Sequence, residues 1–162
     1  MTTAQQTATA VIAEEHLDTC LQEALPLLEA HWREIASWDD IPLQPDYDRY
    51  VQAEARGQLC IVTARVEGRL VGYAVFFVAT NGHYSGSLQA VQDILYVDRS
   101  RRGAMVGIRL VAAAERILAA RGVQVVYHHV KRKHPLLGEL LARKGYEAVE
   151  TIYAKRLDRE EQ

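Results

Sequence analysis

The stretch richest in chemistry runs from Ile94 to Gly107. There a strand-like run, Ile94-Leu95-Tyr96-Val97, passes through Asp98-Arg99-Ser100-Arg101-Arg102 into Gly103-Ala104-Met105-Val106-Gly107. A helix opening after such a turn presents first-turn N–H groups that have no internal partner and carry about half a positive charge, which suits a pyrophosphate. Gly103 lets the backbone approach an anion closely, Gly107 keeps a Cβ out of the first helical turn, and Arg99, Arg101 and Arg102 add mobile positive charge. A solvated arginine loop would use the same residues, so the turn alone decides nothing. It is no nucleotide fingerprint either, since Gly-Lys-Ser/Thr is missing and Gly-x-Gly-x-x-Gly does not occur there. Among the six histidines, His128 and His129 are strand neighbours that point to opposite faces, so no metal site is expected. Cys20 and Cys60 lie in apolar surroundings without CxxC spacing and read as core filler.

The elements that must hold this turn follow from periodicity. Residues 7–13 suggest a short first strand after a polar, disordered tail over residues 1–6. Leu17, Leu21, Leu25, Leu28, Trp32 and Ile35 form one helical stripe between Glu14 and Trp38, with Pro26 predicting a kink or the start of a second helix. Asp46 to Arg56 resumes a helix that ends at Gly57. The period then falls to two, giving a hairpin from Leu59 to Val66, a turn at Glu67-Gly68, and a strand from Leu70 to Val78 that is apolar enough to be covered on both faces. Leu88 to Val97 is a third strand of this group. Val106, Leu110, Ala113, Ala114, Ile117 and Leu118 mark a helix from Met105 to Ala120 capped at Gly122. Val123 to Val130 then reads as a strand, Pro135 to Lys144 as a short helix closed by Gly145, and Tyr146 to Leu157 as a last extended segment before a tail over residues 158–162. The order implies a mixed α/β fold with helices on both faces of the sheet.

Bulk properties exclude several classes. The chain has 162 residues, 49% of them apolar, which suffices for one ordinary core. Lys and Arg total 19 against 21 for Asp and Glu, and a net charge of -2 supplies no field to draw in nucleic acid or an anionic membrane. No apolar run approaches the roughly 20 residues of a membrane span, and the polar start is unlike a secretion signal, so a cytoplasmic protein is expected.

In its second half the chain resembles the GNAT family of acyl-CoA transferases, whose central strand ends in an Arg-Gly-x-Gly-x-Gly turn before a helix. The matching residues are Arg102-Gly103-Ala104-Met105-Val106-Gly107, followed by Gly122, the strand to Val130, the short helix and the Gly145-Tyr146 pair. The resemblance covers most of residues 70–157, and the first half agrees in element order. His31-Trp32-Arg33-Glu34 and Gly82-His83-Tyr84-Ser85 look most like short phage- or prophage-encoded members. It implies a mostly antiparallel mixed sheet flanked by helices over residues 7–157, and acetyl-CoA as the acyl donor. Main-chain groups of Leu95, Tyr96 and Val97 would pair with the pantetheine arm, and amides from Arg102 through Gly103, Ala104, Met105 and Val106 to Gly107 would cradle the pyrophosphate. Three departures stand out. Met105 occupies the middle glycine, so the loop is expected to avoid positive φ there or to seat the cofactor differently. Leu141 stands where many members carry the tyrosine that protonates the leaving thiolate. His134 replaces a frequent asparagine and would donate to the pantetheine or the thiolate.

Acetyl transfer by direct attack on the thioester needs a neutral amine and a route for its proton. Asp93 is the candidate base, although it would equally suit a structural pair with an arginine. Tyr84 and His83 are candidates for lining the acceptor pocket, or for an ordinary surface turn. Tyr127, His128, Tyr153 and His134 are candidate acids. Asp39, Asp40, Asp46 and Asp48 hint at a cationic acceptor unless they are simply solvated, and Lys131-Arg132-Lys133 suits either the ribose phosphate or solvent. The expected partner is a small-molecule or peptide amine, with a homodimer allowed and no nucleic acid or membrane. The competing expectation is a CoA-binding or protein-interaction module with weak or no catalysis.

Overall fold

The computed structural model describes residues 9–103 and 105–159. It contains one five-stranded sheet with neighbours in chain order: β1 (Val11–Glu14), β2 (Leu59–Val66), β3 (Arg69–Thr80), β4 (Leu88–Val97) and β5 (Val125–Tyr127). The first four strands are antiparallel and β5 runs parallel to β4. Four helices flank it: α1 (Leu17–Ile35), α2 (Tyr47–Ala55), α3 (Val106–Ala120) and α4 (Leu136–Arg143).

Strand alternation splits the core in two. Cys60, Val62, Ala74, Phe76 and Ala90 meet Leu110, Ala113, Ala114 and Leu118 of α3 on one face. Ile61, Tyr73, Val75 and Tyr96 meet Leu17, Cys20, Ala24 and Leu27 of α1 on the other, with Ala53 of α2. The two cysteines therefore lie on opposite sides of the sheet, and burial pushes each thiol up to about 11, as filler requires. The β2–β3 hairpin turns at Glu67 and Gly68, which take φ of 51° and 80°, the left-handed pair that matches strand twist.

Five expectations are corrected. The first strand begins at Val11 rather than residue 7; residues 7 and 8, like the tail over residues 1–6, lie outside the described residues. Pro26 sits inside one helix and starts no second one, because tertiary packing of the flanking Ala24 and Leu27 outweighs the lost donor. The deepest stripe of α1 is Leu17, Cys20, Ala24 and Leu27, while Leu21, Leu25 and Leu28 are only half-buried. The strand expected over Val123 to Val130 narrows to Val125–Tyr127, since β4 offers it a partner only at Gln89, Ala90 and Val91. The segment from Tyr146 to Leu157 joins no sheet: Val149, Ile152, Tyr153 and Leu157 all lie exposed. That segment is held instead by Arg156, whose guanidinium grips Asp40 at 3.0 Å and Asp158.

Candidate active site

The site is built where β4 and β5 part. β5 stops after Tyr127 against Val91, whereas β4 continues to Val97, so from Gln92 onward β4 has no strand on that side among the described residues. Gln92 and His128 are the first residues past the last pair, and they hydrogen bond across the fork at 2.6 Å. Burial lowers the His128 imidazole to about 4, so it is neutral, and with a carbonyl oxygen opposite it Nδ1 is the donor. Its ring is wedged edge-on between Phe76 and Tyr146. Neutral and anchored, His128 pins the fork and supplies no acid there.

Beyond the fork the ladder between β3 and β4 slips by one residue. Val75 faces Ile94 and Phe76 faces Gln92, leaving Asp93 as the extra residue of a bulge. A bulge re-aims its side chain, and the Asp93 carboxylate accepts a 2.6 Å hydrogen bond from the Tyr50 hydroxyl of α2. Burial and then this carboxylate push the Tyr50 hydroxyl well above its ordinary value, so it stays a donor.

Past the bulge, Asp98 N–H bonds Val71 O at 2.8 Å. Counting back by twos, Tyr96 directs its backbone groups to β3, and Leu95 and Val97 direct theirs to the open edge. Of the expected pantetheine contacts, Leu95 and Val97 thus present main-chain groups outward and Tyr96 does not. The Tyr96 side chain works on the α1 face, where it stacks on His31 with ring centroids 5.0 Å apart and lies under the Arg102 guanidinium.

The turn itself is open. A Cβ at Gly103 would meet nothing within 4 Å, and one at Gly107 would meet only Val97 Cγ2 at 3.9 Å. Met105, the N-cap of α3, is exposed and offers no side-chain cap to the first-turn amides. Ala104 lies outside the described residues. Of the two alternatives expected at Met105, avoidance of positive φ is corrected: the residue adopts φ 59°, ψ 9°, the left-handed conformation, at a cost of about 1 kcal/mol. The turn geometry is imposed whether or not glycine is there.

Sequence reading gave Glu34 no role beyond its place in the His31-Trp32-Arg33-Glu34 run. From the last turn of α1 it reaches Arg102 at 2.9 Å and Arg99 at 3.8 Å and accepts from the Tyr96 hydroxyl at 3.4 Å. His134 Nε2 lies 3.0 Å from the Glu34 carbonyl, and Lys133 bonds the Ala36 carbonyl, so basic groups cap the carbonyl end of α1. The structure therefore gathers Arg102, Tyr96 and His134 around Glu34, and Asp93 with Tyr50 at the bulge. Tyr84 stands apart: it is 68% exposed in the loop at the Leu88 end of β4, the end away from the Val97 turn. Tyr153 is 90% exposed. Leu141 is buried, so α4 brings no hydroxyl to the site. Two of the four acidic residues are committed, Asp40 to Arg156 and Arg159 and Asp46 to the α2 cap, where it accepts from Arg49 N–H. Among the described residues no three His, Cys, Asp or Glu side chains gather as for a metal.

An open strand edge running into uncapped helix amides is a geometry for a long ligand with an anionic diphosphate. The model of the acetyltransferase (GNAT) family matches residues 22–146. The chain belongs to this family. It is an acetyl-CoA-dependent N-acyltransferase. The room at Gly103 and Gly107, the uncapped amides of α3 and the outward groups of Leu95 fit acetyl-CoA. No curated protein sequence matches the chain. Solved structures share its fold. A ribosomal-protein-alanine N-acetyltransferase from Brucella melitensis superposes with TM-score 0.70 at 21% identity over 91% of this chain and 99% of its own. AAC(6')-Iy, in complex with the bisubstrate analogue CoA-S-monomethyl-acetylneamine, gives 0.70 at 18% over 91% and 97%. An aminoglycoside acetyltransferase from an uncultured soil metagenomic sample gives 0.73 at 15% over 94% and 97%.

Proposed function

We propose that the enzyme transfers acetyl directly to a primary amine, small-molecule or peptidyl, at the β4 bulge. One observation carries this reading: the Asp93–Tyr50 pair stands at the residue where β4 opens toward the uncapped mouth of α3. Bound acetyl-CoA supplies a thioester whose C–S bond breaks as the amine N–C bond forms. Leu95 lends its outward main-chain groups to the pantetheine arm, and amides from Gly103 to Gly107 hold the diphosphate. Asp93 orients the ammonium and takes the proton it loses, directly or through water, while Tyr50 fixes the carboxylate. His134, whose Nε2 lies 3.0 Å from the Glu34 carbonyl at the end of α1, would turn from it to donate to the pantetheine. With Leu141 buried, the thiolate is protonated from solvent at the open edge.

Residues 7–157 form the catalytic unit in this reading, with the sequences outside it as tails. No helix among the described residues is long and apolar enough to cross a membrane, and two free buried thiols suit the reducing cytoplasm. The exposed apolar residues Val149, Ile152 and Leu157 favour a homodimer, which sedimentation would reveal. The buried Leu141 favours a second reading, a CoA-binding module without turnover. Calorimetry with CoA alongside a thiol-release assay on a panel of amines separates the two: binding with release supports the transferase, and binding without release from any amine supports the module.

A further inference from the structure

Beyond α4 the chain forms an arm that joins no sheet. One end is anchored by Tyr146, whose ring stands edge-on to His128, and the other by Arg156, which grips Asp40 through two hydrogen bonds of 3.0 Å. Between these anchors residues 147–155 are all exposed. Residues 147–154 make no hydrogen bond, ion pair or ring contact with any described group of the chain. The arm is no frayed tail, since both of its ends are tied down.

Its composition is that of a strand. Val149, Thr151, Ile152 and Tyr153 favour extended backbone, and no Gly or Pro follows Gly145. Yet Val149 is 67% exposed, Ile152 72% and Tyr153 90%. Unpaired main-chain groups beside uncovered apolar side chains are a template for another strand.

The arm's own sequence selects that strand. Laid antiparallel on a second copy about Thr151, it sets Val149 opposite Tyr153 twice, a β-branched side chain against an aromatic ring, and Glu147 opposite Lys155 twice. Centring on Glu150 would put two carboxylates face to face, and centring on Ile152 would put Val149 against Lys155. One register therefore satisfies both charge and apolar contact. Pairing about a single residue is a twofold contact, which closes on itself and cannot propagate.

We infer that the arm is a dimer interface: residues 147–155 of two copies pair as an antiparallel ribbon whose twofold axis passes through Thr151. The inference rests on the homodimer reading above and gives it a surface and a register. A two-stranded ribbon alone is marginal in water. Trp38 and Ile41, exposed on the loop that Arg156 holds through Asp40, supply further apolar surface next to it.

Single cysteines test the register. At the axis the two Thr151 Cα atoms would stand about 4.5–5.5 Å apart, within disulfide reach, so Thr151→Cys with oxidised glutathione should become a covalent dimer. Glu147→Cys should not, because its two copies would lie about 26 Å apart along the ribbon. Val149→Cys and Tyr153→Cys should cross-link only when mixed and allowed to exchange subunits. Cys20 and Cys60 are buried and stay silent. Thr151→Pro removes a ladder donor from a residue without a partner in its own chain. It should weaken self-association in sedimentation at least tenfold, with circular dichroism and CoA affinity unchanged. Tyr153→Ser should weaken it about tenfold, since its pair occurs twice. A wild-type protein that sediments as a monomer overturns the homodimer and the ribbon together. A dimer whose Thr151→Cys form does not cross-link, or that survives Thr151→Pro intact, overturns the ribbon and leaves a homodimer built on another surface.

Discussion

Mild acid should destabilise this enzyme through two imidazoles that flank its site. His31, packed on Tyr96, and His128, at the fork of β4 and β5, are both lowered by burial from 6.5 to about 4. Around His31, Glu34 opposes the burial while Arg102, His134 and Lys131 reinforce it; around His128, Glu115 opposes and His129 reinforces. In the unfolded chain both rings return to about 6.5. Between these values the unfolded state binds more protons, so stability is complete above pH 6.5 and drains away as pH falls toward 4. Integrating one such group from pH 7 to 5 gives about 2 kcal/mol, and the pair about 4 kcal/mol. The carboxylates with lowered values, Glu15 and Asp98 among them, start from 4.5 and 3.8 and lose their contribution only below this window. Urea unfolding at pH 7 and pH 5 reads the difference directly, and His31→Phe or His128→Phe should each remove about half of it. Stability equal at both pH values, or a loss left whole by both substitutions, would refute the burial argument.

Three further outcomes follow from single positions. Met105→Gly should raise stability by about 1 kcal/mol by relieving a left-handed φ of 59°, seen as a higher Tm, without weakening CoA binding. Asp93→Asn should cut kcat/KM about a hundredfold with the CoA Kd unchanged, because the carboxylate acts on the amine alone; Tyr50→Phe should cost several-fold less. Gly72→Ala should destabilise by about 2 kcal/mol in urea titration, since the new Cβ would meet the Tyr96 carbonyl oxygen at 2.9 Å and push β3 off β4.

What the sequence made legible and what it hid divide along the range of the interactions. β4 and the starts and ends of α2, α3 and α4 could be read to within a residue or two, because caps, Gly-marked turns and periodicity are written within a few positions. The open turn before α3 was legible for the same reason. The rest depends on contacts between distant parts of the chain. Asp93 could be named as a carboxylate on the right strand, but its exposure as a bulge residue depends on a register slip against Val75 and Phe76. Its partner Tyr50 is 43 positions away, and Glu34 is 68 from Arg102. The final segment has strand-like composition, yet strand formation needs an available edge, and β5, only three residues long, does not pair with it.

Glu34 poses the sharpest question about cofactor binding, because it competes with it. The Arg102 guanidinium is held by the Glu34 carboxylate at 2.9 Å, and its Nε donates to the Val97 carbonyl at 2.9 Å. That carbonyl points to the open edge of β4, where a pantetheine arm would pair, and the same guanidinium belongs to the turn that leads into α3. About 15% of the Glu34 side chain is exposed against 41% of Arg102, so water reaches the pair from the arginine side. Seating a diphosphate must therefore draw on an arginine already committed elsewhere. Glu34→Gln keeps the shape and removes the charge that holds Arg102. It should lower the Kd for CoA about fivefold, roughly 1 kcal/mol of released competition, while costing about 1 kcal/mol of folding stability. Calorimetry and urea titration read the two effects separately, and they should move in opposite directions. If Glu34→Gln instead weakens CoA binding, the pair is what shapes the mouth, and Arg102 contributes by standing where Glu34 puts it.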